Sequence, residues 1–240
     1  MKVLVFDTAE ALAHRCADEF SALLRTKTTP VLGLATGASP VPTYKALIER
    51  YTAGEISFRN VTTFNLDEYC ELPRNDKNSY YTFMHENLFD HVDIKEENVH
   101  ILNGNAPDFE AEAKSYEADI RAAGGIDLQL LGIGTNGHIG FNEPDVKFTK
   151  STFVVELSQS TVNSNSIYFE NSVMPKHAIT MGIGSIMAAK KVLLIATGQK
   201  KAEAIRACVR GDITPACPAS ILQFHPDVTF FLDRDAAKLL

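Results

Sequence analysis

The stretch Leu131–Pro144 reads LGIGTNGHIGFNEP, an apolar strand end running into a glycine loop that carries an imidazole (His138), an amide (Asn136) and a carboxylate (Glu143). Imidazole titrates near neutral pH and so shuttles protons. Glycine lets a ligand come close to the backbone. The combination points to proton transfer on a small molecule. Gly132, Gly134 and Gly137 also satisfy the G-x-G-x-x-G pattern of a dinucleotide site, and an acid follows at Glu156. A pyrophosphate site, however, needs a helix that starts at the third glycine and runs on, and Asn142-Glu143-Pro144 breaks the chain within about two turns. Nucleotide binding is therefore set aside.

Three further segments carry groups suited to the same chemistry. In Leu32–Pro40 (LGLATGASP) a strand turns through small residues into a helix opened by Pro40. Such a turn aims N–H groups and the positive end of the helix dipole at an anion, with the Thr36 and Ser39 hydroxyls alongside. A phosphate fits; the plainer reading is that Ser39 is only a helix cap. In Thr63–Tyr69 (TFNLDEY) an apolar strand ends in adjacent carboxylates, Asp67 and Glu68. Ligands of open α/β sheets bind at the carboxyl ends of strands, so one of the pair is expected in the cleft and the other away. Asp67, desolvated beside an apolar strand, suits a base near neutral pH; a solvated turn is the plainer alternative. Thr197–Lys201 (TGQKK) follows another strand, and one of its two lysines reaches a phosphate while the other faces water, unless both are plain surface. No metal-ligand spacing appears, and no serine or cysteine nucleophile has an evident base.

The elements that position these groups follow from periodicity. Nearly continuous apolar runs recur at 3–6, 31–35, 61–66, 127–131, 153–157, 192–196 and 228–232, separated by segments of helical period. Continuous runs mark strands of a parallel sheet covered on both faces, so the class is α/β. Helices are predicted over 9–24 (capped by Thr8), 40–51, 79–91, 109–122 (capped by Asp108) and 200–210. With no linker, repeat or low-complexity segment, residues 1–240 form a single domain. The Ser- and Asn-rich stretch 158–176 is either a lid over the site or a surface excursion.

Composition bounds the partners. The 240 residues are 45% hydrophobic and 22% charged, with 23 basic against 30 acidic side chains. The net charge of −7 and the lack of a basic tract exclude nucleic acid as a partner. The four scattered cysteines fit reduced thiols. No apolar stretch approaches the ~20 residues of a membrane span, and the first apolar run is too short for a signal peptide. A cytoplasmic location is expected.

The motifs LGLATGASP, TTFNLDEY, ILNGNAPD, LLGIGTNGHIGFNEP, ITMGIGSIM and PASILQFHP stand in that order over nearly the whole chain. In these the chain resembles the glucosamine-6-phosphate deaminase family. The resemblance implies a Rossmann-like fold and conversion of glucosamine 6-phosphate and water into fructose 6-phosphate and ammonia, with no cofactor and no metal. It implies that His138, oriented by Glu143 and Asn136, opens the sugar ring, that Asp67 moves the proton between neighbouring carbons, and that Thr36, Gly37, Ala38, Ser39 and Lys201 hold the phosphate. Three departures carry expectations. Family members commonly have a phosphate-binding arginine where Ile167 stands in NSIYF, so weaker phosphate binding is expected. Asn136 replaces an aspartate of some members. Phe153 and Val155 replace basic residues of the activator site in hexameric members, so activation by N-acetylglucosamine 6-phosphate is not expected, and a monomer is preferred. Rival readings are 6-phosphogluconolactonase, which shares the fold, a galactosamine 6-phosphate enzyme, and a degenerate sugar-phosphate-binding protein.

Overall fold

A computed structural model describes residues 1–169 and 173–240; the side chains of residues 160, 164, 167 and 168 lie outside the description. The described residues form strands β1 (Lys2–Phe6), β2 (Val31–Leu34), β3 (Thr62–Asn65), β4 (Asp67–Tyr69), β5 (Val99–His100), β6 (Leu128–Leu131), β7 (Phe153–Glu156), β8 (His177–Thr180), β9 (Val192–Ala196) and β10 (Val228–Asp233). Between them lie helices α1 (Ala9–Thr26), α2 (Val41–Thr52), α3 (Tyr80–Asn87), α4 (Phe109–Ala122), α5 (Gln159–Asn165), α6 (Ile183–Met187) and α7 (Ala202–Arg210). No helix among the described residues is long and apolar enough to cross a membrane.

Seven strands make one parallel sheet in the order β1-β10-β9-β6-β2-β3-β5. Its inner strands β2, β6, β9 and β10 are buried on both faces, as their continuous apolar sequence requires, while the edge strand β1 is partly exposed. Along β9, for example, Val192, Leu194 and Ala196 join one core cluster with residues of α4, α6 and α7, while Leu193 and Ile195 join a second with α1, α2 and α3. The expected α/β architecture with helices on both faces is therefore present. From β2 the chain moves outward to β3, and from β6 it moves the other way to β9 and β10. The loops leaving β2 and β6 thus diverge at a topological switch point, the place where open α/β sheets bind ligands.

One expectation is corrected. The run 153–157 is not a strand of the parallel sheet: β7 pairs antiparallel with β8, and β8 pairs antiparallel with β4, in a separate three-stranded sheet. Its residues alternate between half-buried and exposed, because only one face of this small sheet is covered. The two-residue β5 and the one-turn α6 are too short to leave a periodic signal, and β8 (HAIT) carries only two apolar residues, so none of the three is predicted. Helix α2 starts one residue later than predicted, with Pro40 capping it and Pro42 inside its first turn.

The small sheet fixes β4 at the carboxyl edge of the large one. Behind β4 the loop 103–105 packs so closely that a Cβ on Gly104 would overlap the Tyr69 carbonyl. Glu71 N–H donates to the Gly104 carbonyl at 2.8 Å, and Asn105 Nδ2 donates to the Leu72 carbonyl at 2.5 Å. The obstructing atom belongs to the backbone, so relief requires β4 itself to shift. Gly104→Ala is expected to lose about 1–3 kcal/mol, seen as a lower urea midpoint; an unchanged midpoint would mean that the loop yields instead.

Candidate active site

A cavity of about 470 Å³ opens at the switch point, lined by residues 35–39 after β2, 132–136 and His138 after β6, Leu66 and Asp67 after β3, and Thr197 and Lys201 after β9. Its size suits a small ligand. All four sequence segments singled out above converge on it. Glu143 sits behind His138, while Thr36, Gly37, Ala38, Ser39, Asp67, Asn136, His138 and Lys201 line the wall.

The loop after β2 is shaped by Gly37, whose φ of +97° is a conformation glycine adopts without strain. The buried Tyr44 hydroxyl holds the Ala35 carbonyl at 2.5 Å and so anchors the loop to α2. Among the described residues, the N–H groups of Gly37, Ala38 and Ser39 bond to no protein acceptor. Ser39 makes no capping bond to the helix, whose cap is Pro40. Its hydroxyl therefore remains with these N–H groups beside the positive end of α2, an arrangement suited to an anion. Lys201 ends a short turn after β9 and donates to the Ile133 carbonyl at 2.6 Å. Burial lowers the affinity of its amine for a proton, a cost that a bound anion offsets. Lys200 is exposed, whereas Lys201 lines the cavity.

Asp67 and Glu68 are both buried, at 6% and 4% exposure, so the solvated-turn alternative fails. Alternation along β4 sends them to opposite sides. Asp67 lines the cavity. Burial, and then the Glu68 charge, push its carboxyl from an ordinary 3.8 up to about 8. Glu68 accepts N–H bonds from Tyr69, Tyr80 and Tyr81 at 2.8–2.9 Å and thereby ties the start of α3 to β4. Burial raises its own carboxyl, and these three bonds oppose the rise.

The loop after β6 closes on itself. Gly134 N–H donates to the His138 carbonyl at 2.9 Å, and Gly137 turns the chain with φ +86°. The imidazole lies flat against Gly134, where a Cβ would overlap it. Glu143 Oε2 accepts from Asn136 Nδ2 at 2.7 Å and stands 3.4 Å from His138 Nδ1. The buried Nδ1 lies off ideal hydrogen-bond geometry, so the ring and the carboxylate meet as close neighbours at 3.4 Å. Asn136 Oδ1 in turn accepts from the His138 backbone N–H at 3.2 Å. Burial would raise the Glu143 carboxyl, but the His138 ring, the Thr161 hydroxyl and the Asn136 amide outweigh it and hold the group at about 2. Asn142 pins the loop through the Ile139 and Met181 carbonyls, both at 2.9 Å.

Sequence reasoning assigned no role to Tyr80, Thr161, Asn165 or Thr197, all in the cavity wall, although the last three lie in stretches it singled out. Ser79 is a recognisable helix cap, and placing Tyr80 just after it was the available signal. Of the stretch 158–176, residues 159–165 form α5 and 166–169 a single tight turn. Ile167 lies in that turn, its side chain outside the described residues, as are residues 170–172 altogether. Among the described residues no cluster of His, Cys, Asp or Glu is arranged to hold a metal ion.

A model of the family described as glucosamine-6-phosphate isomerases/6-phosphogluconolactonase matches residues 6–230. The chain is 50% identical over 241 residues to a glucosamine-6-phosphate deaminase of Thermoanaerobacter pseudethanolicus, covering 100% of this chain and 95% of that one. It is 54% identical over 230 residues to one of Lysinibacillus sphaericus, covering 95% and 97%. A solved structure described as a monomeric glucosamine-6-phosphate deaminase has a TM-score of 0.97 at 45% identity, covering 100% of both chains. A 6-phosphogluconolactonase from Trypanosoma cruzi has a TM-score of 0.80 at 22% identity, covering 100% and 96%, a likeness of fold alone.

The raised Asp67 carboxyl has a thermodynamic consequence. Between pH 3.8 and about 8 the folded chain keeps a proton that the unfolded chain releases. Stability through this group therefore falls as pH rises across that window, and levels off above it. Asp67→Asn removes the penalty. It should melt higher than the parent at pH 8 by ~1 kcal/mol or more, roughly 2–4 °C for a chain of this size, with the gap closing toward pH 4. Equal melting temperatures at both pH values would show that Asp67 is not desolvated.

Proposed function

The chain belongs to the glucosamine-6-phosphate isomerase/6-phosphogluconolactonase family, and we propose that it is the glucosamine-6-phosphate deaminase of that family, converting glucosamine 6-phosphate and water into fructose 6-phosphate and ammonia. The observation that carries this reading is that one cavity holds an anion cradle, a buried carboxyl shifted toward neutrality and an imidazole backed by a carboxylate. Relatives of that name match over the whole chain at about half identity. The lactonase likeness is one of fold.

The N–H groups of residues 37–39, the Ser39 and Thr36 hydroxyls and Lys201 hold the phosphate and fix the other end of the sugar. His138 moves the proton from the anomeric hydroxyl to the ring oxygen, opening the ring, and Glu143 stabilises the charge that the imidazole carries meanwhile. Ionised Asp67 then takes the proton from the amine-bearing carbon of the open aldehyde, giving an enolamine, and delivers a proton to the neighbouring carbon. Water adds to the resulting imine and ammonia leaves, so the ketose forms with no change of overall oxidation state. A carboxyl at about 8 is a far stronger base toward carbon than an ordinary carboxylate, at the cost of being largely protonated at pH 7. The enzyme works as a monomer in the cytoplasm; the description of the solved relative and the four buried free thiols support this.

With the parent chain, ammonia and fructose 6-phosphate should appear from glucosamine 6-phosphate, with kcat/KM falling about tenfold per pH unit below 8 and no lactone hydrolysis. Asp67→Asn should lose at least ~10²-fold in kcat. In Ile167→Arg, a charge-assisted phosphate bond of ~1.5–3 kcal/mol should lower KM about tenfold or more. N-acetylglucosamine 6-phosphate should leave the saturation curve unchanged. A folded parent that releases no ammonia overturns the reading; lactone hydrolysis in its place would favour the rival.

A further inference from the structure

Helix α5 stands on the site by two feet, Thr161 and Asn165, four residues apart and so on one face of the helix. Thr161 is 2% exposed, and its hydroxyl donates to Glu143 Oε1. The other oxygen of the same carboxylate, Oε2, takes the Asn136 amide and faces His138 Nδ1. Asn165 Nδ2 donates to the Tyr69 hydroxyl at 2.9 Å, beside Tyr80, which lines the cavity. At the start of α5 the Ser158 hydroxyl caps the helix by accepting from Thr161 N–H at 3.3 Å, and donates to Thr161 Oγ1 at 3.2 Å. The side chain that grips Glu143 is thus itself fixed by the cap of the helix that carries it.

A carboxylate on a side chain with several rotatable bonds can rotate away from the imidazole. Engaging one oxygen from α5 and the other from the loop after β6 leaves a single orientation, the one that directs Oε2 at Nδ1. We propose that Thr161 is a positioning residue for ring opening: its hydroxyl orients Glu143, which orients and charge-stabilises the His138 imidazole. Thr161 touches no reacting atom; it acts through Glu143. The assignment rests on the deaminase reading and deepens it, since α5 then belongs to the proton-transfer machinery and not only to the wall of the cavity.

Pre-organisation of a catalytic group acts on the transition state, whereas the phosphate cradle lies on the opposite loops. Removing the hydroxyl should therefore lower kcat and leave KM in place. The experiment measures kcat and KM for ammonia release, with melting temperatures, in the parent and in Thr161→Val, Thr161→Ala and Thr161→Ser. The expected result is a loss of about tenfold or more in kcat for Val and Ala, KM within about twofold, and recovery of most of kcat by Ser, which restores the hydroxyl. Parent-like kcat in folded Val or Ala overturns the proposal. So does a Ser variant as slow as Val, which would point to packing by the methyl group. Should Val fold poorly, the Ala and Ser variants decide on their own. A parent that releases no ammonia fails the underlying reading instead, and that is seen before any variant is compared.

Discussion

Asp67 sits where two sheets meet, and keeping its carboxyl out of water dictates much of the architecture around it. The residue begins β4 directly after β3 has ended, and β4 turns out of the parallel sheet to pair with β8. The small antiparallel sheet exists, in this sense, to hold one short strand across the mouth of the large one. Close approach is secured on each side: Gly104 lies against the Tyr69 carbonyl, and Gly140, at φ +57°, brings its backbone near Asp67 and the Thr180 hydroxyl. Glu68 saturates one carboxylate with three backbone donors, so that two adjacent acids can be buried while only one remains open to ligand. The same desolvation that weakens the fold raises the basicity of the carboxylate.

Much of this was legible in the sequence because it is local. Continuous apolar runs betrayed buried parallel strands, glycines betrayed the turns at 37 and 137, and strand ends followed by polar residues betrayed the carboxyl edge of the sheet. Every predicted site residue reached the cavity or, for Glu143, the layer behind it. What stayed hidden depends on distant pairing. The run 153–157 carries the same valine-rich signature as a parallel strand, and only its antiparallel pairing with β8, which no local signal shows, assigns it elsewhere. Thr161 and Asn165 are ordinary polar residues of an unremarkable Ser/Asn-rich segment. Their significance comes from Glu143 and Tyr69, 18 and 96 positions away in the chain.

The anion-suited wall of the cavity shows how a fold concentrates weak local features. A glycine turn, a serine that is no cap and one half-buried lysine are each common and each has a plain reading. They become a site only because β2, β6 and β9 are neighbours in the sheet although far apart in sequence. Lys201, held on the Ile133 carbonyl and short of solvent, gains a partner when an anion arrives.

Asn136 illustrates why an amide serves next to the imidazole as well as a second acid would. Its Nδ2 lies 2.7 Å from Glu143 Oε2 and its Oδ1 takes the His138 backbone N–H. An aspartate in the same place would set a carboxylate oxygen against a carboxylate oxygen at hydrogen-bond distance, and like charges so close cannot both stay ionised without a compensating cation. One of the pair would then hold a proton or lean on a protonated imidazole for compensation. The amide instead donates to Glu143 and helps keep it ionised at about 2, so a single, well-defined negative charge faces His138 throughout the neutral range. The arrangement forgoes a second acidic charge beside the imidazole and obtains a carboxylate that the His138 ring, the Thr161 hydroxyl and the Asn136 amide together hold ionised.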